Sequence, residues 1–335
     1  MRATRREFGT GTAGAVAISF SGSFKMRTLI LTFIAFGMTC VCLADFTFDD
    51  NGTSVTVLDG GKPVLAYHYG RMNPPKGIDA ERYWRSSYIH PLYGLDGDVL
   101  TGDFQRDHPH HRGVYWTWPQ CKLGNRQMDI WHLVGVRQLF ERWLEREAGP
   151  DTAEIGVQNV WVFDDGPDPV VREQVRLTVH RADNDGRAID FHLSFTNVSA
   201  EVVTIKGQNG AGYGGLCLRA DRARRNPVIT TARGVLKKDS NSIGSPWADF
   251  SSPTKRGGPN SGAAIFQHPK NPDYPHRGWC LRHYGFLGAA WPHDKPFKLQ
   301  PAGSIDLRYR LYVHRGTAED ANVAEKHNAY VKAHK

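Results

Sequence analysis

Cysteine is scarce in this sequence. Five occur in 335 residues, and two of them, Cys40 and Cys42, fall among the first 44. The other three, Cys121, Cys217 and Cys280, are odd in number and lack Cys-x-x-Cys spacing, which argues against a disulfide framework or a zinc knuckle. At most one bridge could form, so each reads as a small buried hydrophobe. Beyond residue 44 no apolar run is long enough to cross a membrane. A stripe of one charge is missing too. The formal charge is +8, but Arg2, Arg5, Arg6, Lys25 and Arg27 against Glu7 account for half of it. The +4 left on residues 45–335 is scattered, so nucleic-acid binding is not supported. No Gly-x-Ser-x-Gly elbow signals a serine hydrolase. The glycine-rich run at 210–215 has no βαβ context and is not a dinucleotide fingerprint; it reads as a bend where another backbone or a ligand comes close.

Residues 1–44 read as an export region. Thr4-Arg5-Arg6-Glu7-Phe8 resembles a twin-arginine signal. A second start at Met26 leads into the apolar run 29–41 and ends at Cys42-Leu43-Ala44, a conventional secretory signal. A chain rarely needs both, so Met26 is the expected true start and the stretch before it an over-extended one. Cys40 lacks the small residue a lipid-anchor cleavage site wants before it. Either signal sends residues 45–335 to the periplasm or the extracellular space.

What is present is period-two alternation. Ile189, Phe191, Leu193 and Phe195 alternate with polar residues, as do Ile305, Leu307, Tyr309, Leu311 and Val313, and also Val175, Leu177 and Val179. Each is the pattern of a strand with one face on a core. Further strands are expected at 53–58, 62–68, 138–146, 154–163, 201–206, 226–231, 263–267 and 279–284, separated by turns such as Asp59-Gly60-Gly61 and Asn184-Asp185-Gly186. One short helix is expected at the C-terminus, capped by Thr317 with Asp320 in a capping box, and with Ala321, Ala324, Tyr330 and Val331 facing inward. A dozen strands without interleaved helices predict an all-β fold, a large antiparallel β-sandwich forming a single domain over 45–335. Residues 69–135 break the pattern. Long, and rich in Gly, Pro, His and aromatics, this segment reads as a functional excursion over a sheet.

Within it lies Asp107-His108-Pro109-His110-His111-Arg112-Gly113, with Tyr115, Trp116 and Trp118 behind. Imidazole suits proton transfer near neutral pH and metal ligation. Pro109 removes a backbone donor, so the run belongs on a strand edge or a loop, where His108 and His110 would point one way and His111 the other. As metal ligands these residues would need help from His90, His132, His276 or an aspartate, and no glutamate follows at the cupin spacing. As an acid or base, a histidine oriented by Asp107 or Asp103 needs no metal. A binding or structural role is the third possibility. Partner carboxylates could be Asp96, Asp98, Asp103, Asp129 or Asp249, of which Asp249 stands out in its aromatic frame Trp247-Ala248-Asp249-Phe250.

The run resembles the Asp-His-Pro-x-His core of the DUF6807 proteins, which often carry the inherited label "methane oxygenase PmoA". Other pieces match in order: Tyr88-Ile89-His90-Pro91-Leu92-Tyr93, Tyr213-Gly214-Gly215-Leu216, Trp247-Ala248-Asp249-Phe250, His268-Pro269-Lys270-Asn271-Pro272, and Leu307-Arg308-Tyr309-Arg310-Leu311. The resemblance implies a supersandwich similar to galactose mutarotase and a secreted role in carbohydrate catabolism. In mutarotase-like enzymes a histidine and a carboxylate act as acid and base on a sugar. His108 and His111 fill the matching motif positions, whereas His110 fills the variable one.

The leading expectation is therefore an exported carbohydrate-active enzyme with no required cofactor. His108 and His111 would be catalytic, Asp107 would orient one imidazole and Asp249 would be the partner carboxylate. Substrate would meet His110, Arg112, Trp116, Trp118, Tyr213, Arg219, Trp247 and His276. One alternative is metal-dependent oxidative chemistry with copper or iron, as the label suggests. Another is a non-catalytic carbohydrate-binding module.

Overall fold

Every long alternating segment folds as a strand, because alternation gives one apolar face that only a second sheet can cover. The computed structural model describes residues 45–255 and 257–335, so the export region expected at 1–44 lies outside the described residues. Two nine-stranded antiparallel sheets dominate. The first runs Phe46–Asp50, Ser54–Asp59, Lys62–His68, Tyr88–Leu92, Val114–Thr117, Gly215–Arg219, Phe286–Ala289, Gly278–Arg282 and Ser240–Ser242. The second runs Gly234–Val235, Val228–Thr231, Trp247–Pro253, Asn260–Gln267, Ser304–Arg315, Gly186–Asn197, Pro169–His180, Thr152–Phe163 and Val136–Ala148. A small third sheet pairs Phe297–Leu299, Val203–Ile205, Cys121–Leu123 and Arg126–Met128.

The inner faces of the two large sheets share one apolar core. Trp116 meets Phe191 edge-on at 6.4 Å, and Trp118 packs on Trp161 and Phe195 at 6.0 and 5.3 Å. Among these buried faces stands a carboxylate, Glu173 on strand Pro169–His180, wholly buried. It accepts hydrogen bonds from Ser87 Oγ (3.0 Å), Gln138 Nε2 (2.8 Å), Asn159 Nδ2 (2.9 Å) and Trp161 Nε1 (2.7 Å). Four donors satisfy the carboxylate and tie Ser87, just before strand Tyr88–Leu92 of the first sheet, to the second sheet.

The excursion 69–135 holds more regular structure than its composition predicts. Tyr88–Leu92 and Val114–Thr117 are central strands of the first sheet, and Ala80–Tyr83 is one helical turn capped by Asp79. Strand Val114–Thr117 turns Trp116 to the core and Tyr115 to the opposite face. There Tyr115 joins Tyr88, Cys217, Cys280 and Phe286 from neighbouring strands, and Trp131 covers them. The glycine run does bring backbones together: Gly215 has φ +81°, and a Cβ there would meet Ala289 O at 2.2 Å.

The C-terminal helix starts later than its sequence suggests. It spans Val323–His334, with Asn322 before it in the left-handed region. The capping-box bonds exist, Thr317 Oγ1 to Asp320 Oδ2 at 2.8 Å and Asp320 N to Thr317 Oγ1 at 3.3 Å, but they close a separate turn ahead of the helix. Its buried residues are Val323, His327 and Tyr330; Tyr330 and, in the preceding turn, Ala321 face inward as expected, whereas Ala324 is exposed and Val331 half-buried.

Candidate functional site

The histidine run forms tight turns beside the first sheet, with His108 N bonded to Gln105 O and His111 N to His108 O. Alternation does not govern a turn, so the three rings gather on one side instead of splitting. His108 stacks on His111 (4.6 Å, 18°), and His110 meets His111 edge-on at 4.5 Å. Gly113 then lets the chain join the sheet, since a Cβ there would strike Ile89 O at 2.2 Å. Buried Arg112 staples the turn: it donates to Pro109 O (2.7 Å), His111 O (2.8 Å) and Tyr83 O, and lies 3.6 Å over the Phe104 ring. That is a positioning role, not the substrate contact expected of it.

A fourth imidazole, His132, which the sequence offered only as a helper metal ligand, arrives from a turn led by Asp129. Asp129 Oδ1 accepts the backbone N–H of His132 at 2.8 Å, and its Oδ2 pairs with His132 Nδ1 at 2.8 Å. This turn sets His132 against His110 (4.8 Å) and Trp131 against His111 (5.4 Å). Tyr284, at the hairpin tip between Gly278–Arg282 and Phe286–Ala289, stacks on His108 at 5.3 Å and remains 44% exposed. Together with Tyr213, Cys280, Arg282 and Phe286 these residues enclose an open cleft of about 430 Å³. The available signals were Asp129-x-x-His132, an aspartate-led turn, and an aromatic beside glycine at a hairpin tip.

Burial, reinforced by the neighbouring imidazoles and by Arg85 and Arg112, lowers the His110 pKa to about 2. His111 is pushed well below its ordinary value by burial, by His110 and His108, and by Arg219 and Arg112. Both rings are neutral, and His111 Nδ1 is buried without a partner. His108 is half-buried, its Nδ1 3.1 Å from Asp107 Oδ2, an ion-pair distance short of a well-aligned hydrogen bond. Asp107 is held low despite partial desolvation because His108 and Arg219 both contact it. Arg219 is buried, bonded to Gln105 and to Asp107 at 2.9 Å, and lies under the Tyr284 ring. It supports the cleft from below.

Several expected site residues lie elsewhere. Trp116 and Trp118 are wholly buried between the sheets and expose no ring face to a ligand. Asp249 and Trp247 lie on the outer face of the second sheet, across the sandwich from the histidines. Asp249 Oδ1 pairs with His314 Nε2 at 2.7 Å, both groups fully buried, and Trp247 packs with Val323 and Tyr330. His276 is buried against Trp279, its pKa carried down to about 3 by burial. Of the other carboxylates, Asp96 pairs with Arg315, Asp98 with Arg224, and Asp103 accepts from Tyr88 at 2.9 Å beside Arg112.

The copper or iron that the inherited label implies finds no ready ligand set. The His108 and His111 rings lie face to face, which sets their nitrogens side by side rather than toward one point. Among the described residues no three His, Cys, Asp or Glu side chains form a metal-binding group.

A family model described as a family of unknown function, DUF6807, matches residues 54–328. The chain belongs to that family. No curated protein matches this DUF6807 chain in sequence. Among solved structures it is similar to an α-galactosidase of Lactobacillus brevis (10% identity, TM-score 0.42), over 82% of this chain and 40% of that one. It is similar to a GH36 α-galactosidase of Geobacillus stearothermophilus (11%, TM-score 0.38), over 82% and 41%. A heparinase III shows 12% identity and a TM-score of 0.31, over 83% and 36%. The DUF6807 chain thus spans well under half the length of each of these proteins. No helix among its described residues is long and apolar enough to cross a membrane.

Proposed function

We propose that the protein is an exported carbohydrate-active enzyme that moves a proton on a sugar with His108 as acid or base. The observation that carries this is one cleft in which four imidazoles meet the exposed ring of Tyr284 and the edge of Trp131. Aromatic faces suit the apolar face of a sugar ring, and imidazole nitrogens suit its hydroxyls. His108 and His132 each have an acidic neighbour at Nδ1, Asp107 and Asp129, and His108 is the one that also stacks on the exposed Tyr284 ring. His111 backs His108 as a neutral, stacked support.

The lining holds no carboxylate. Glycoside hydrolysis by the common route needs two, one on each side of the scissile bond. Elimination, in which a base removes the proton on carbon and a proton passes to the departing oxygen, or epimerisation, in which the proton is taken from one face and one is delivered to the other, therefore fits this cleft better than two-carboxylate hydrolysis. The export proposal rests on the sequence of residues 1–44 alone.

The test is a screen of the full chain on neutral and acidic oligosaccharides, read by chromatography of products. On any substrate turned over, His108→Ala should lower kcat by at least about a hundredfold. Unchanged turnover in both His108→Ala and His111→Ala would end this reading.

A further inference from the structure

Ten side chains line the histidine cleft, and Arg282 alone among them carries a formal charge when the imidazoles are neutral. Its guanidinium donates to Ser240 O and Leu281 O, both at 3.0 Å, and to Asn241 Oδ1, all neutral acceptors. Asp239 feels this charge but is itself bound to His283, through Nδ1 at 2.7 Å and the backbone N–H at 2.9 Å.

Beneath the lining lie two further guanidiniums, Arg85 and Arg219, almost wholly buried. Arg85 bonds to Ile130 O and Gln138 Oε1, with no carboxylate in contact, and its Nε and Nη1 have no partner. Arg219 shares Asp107 with His108 and keeps Nη1 unpartnered. Their positive potential extends into the cleft, because Arg85, Arg112 and Arg219 add to burial in keeping His110 and His111 neutral. Carboxylates stand near these guanidiniums, Asp103 by Arg112, Asp107 by Arg219 and Glu173 acting on Arg85, yet the potential still reaches His110 and His111, and a cleft with such walls concentrates negative charge.

We infer that the ligand supplies the missing charge: a sugar ring bearing a carboxylate or sulfate group, its face on Tyr284 and the anionic group against Arg282. This rests on the sugar reading of the cleft and adds the charge of the ligand. A guanidinium bonds an anion in charge-assisted fashion, about twice as strongly as a neutral acceptor. The ring stacked on Tyr284 excludes water and lowers the local dielectric, which strengthens that bond further. A neutral sugar in the same pose would dry the wall around Arg282 and return no anion to it.

Calorimetric titration of the full chain tests this, with glucuronate, galacturonate, a sulfated glucose, and neutral glucose and galactose as probes. At least one anionic sugar should bind about tenfold more tightly than its neutral parent, and the uronate and sulfate arms identify the group. Arg282→Gln should remove that difference and Arg282→Lys should keep part of it. Arg282 also holds Ser240 and Asn241, so salt titration of the unaltered protein is an independent readout: rising ionic strength should weaken anionic but not neutral binding. Equal affinity for charged and neutral sugars, a preference that survives Arg282→Gln, or salt-insensitive anion binding overturns the inference and leaves the sugar site standing. Failure of every probe, charged and neutral, overturns the sugar reading and this inference together.

Discussion

Trp116 and Tyr284 divide between them the two jobs an aromatic ring can do. Trp116 has no exposed surface and meets Phe191 across the core, whereas Tyr284 stands 44% exposed over His108. Trp116→Ala should destabilise the fold by about 3–5 kcal/mol, the range for truncating a buried aromatic. Tyr284→Ala should alter stability by only about 0.5 kcal/mol, as at other surface positions. Its effect should fall on sugar affinity instead. Thermal denaturation and ligand titration of the two variants check this; a large stability loss in Tyr284→Ala would make that ring structural. The residue types in the histidine run were legible from sequence. Which aromatic ring accompanies them was not, because adjacency in a strand sends neighbouring side chains to opposite faces. Tyr115 stays with the cleft side and Trp116 leaves it.

At the scale of elements, helix Val323–His334 closes over the outer face of the second sheet by burying histidines. His327 meets Phe266 edge-on at 5.4 Å, and His268 packs on Tyr330 and His334. Burial lowers His327 to about 4, and burial together with His334 lowers His268 to about 4. A lowered folded-state pKa means the unfolded state binds the extra proton first. Stability from this helix is therefore complete above about pH 6.5, the ordinary histidine value, and declines as pH falls toward 4. Hydrogen exchange of Val323–His334, corrected for intrinsic rates, should speed up at pH 5 relative to pH 7. His327→Leu should flatten that dependence, and a pH-independent exchange rate in the unaltered protein would refute the account. The helix was expected near its observed place. Its true start was not, because the capping-box residues Thr317 and Asp320 satisfy a turn of their own before Asn322 interrupts.

For the molecule as a whole, Glu173 ties the two large sheets together. Glu173→Ala would leave Gln138 Nε2 and Trp161 Nε1 without an acceptor in a dry interior, and would reduce Ser87 and Asn159 to their bonds with each other and with Tyr67. The expected loss is about 3–5 kcal/mol, visible as a large drop in denaturation midpoint. A variant of unchanged midpoint would show that water or rearrangement replaces the carboxylate. The sequence by itself determined the two-sheet architecture, because alternation over a dozen segments can bury its apolar faces only by stacking sheets. It also determined that the histidine run lies off the central strands, on an edge or a loop, through Pro109. Tertiary structure alone decided the composition of the cleft. His132 and Tyr284 reach His110 and His108 from turns 22 and 176 positions away, and no local pattern encodes such distances. It also decided that Asp249 belongs to His314, because strand pairing sends that carboxylate to the other face of the molecule.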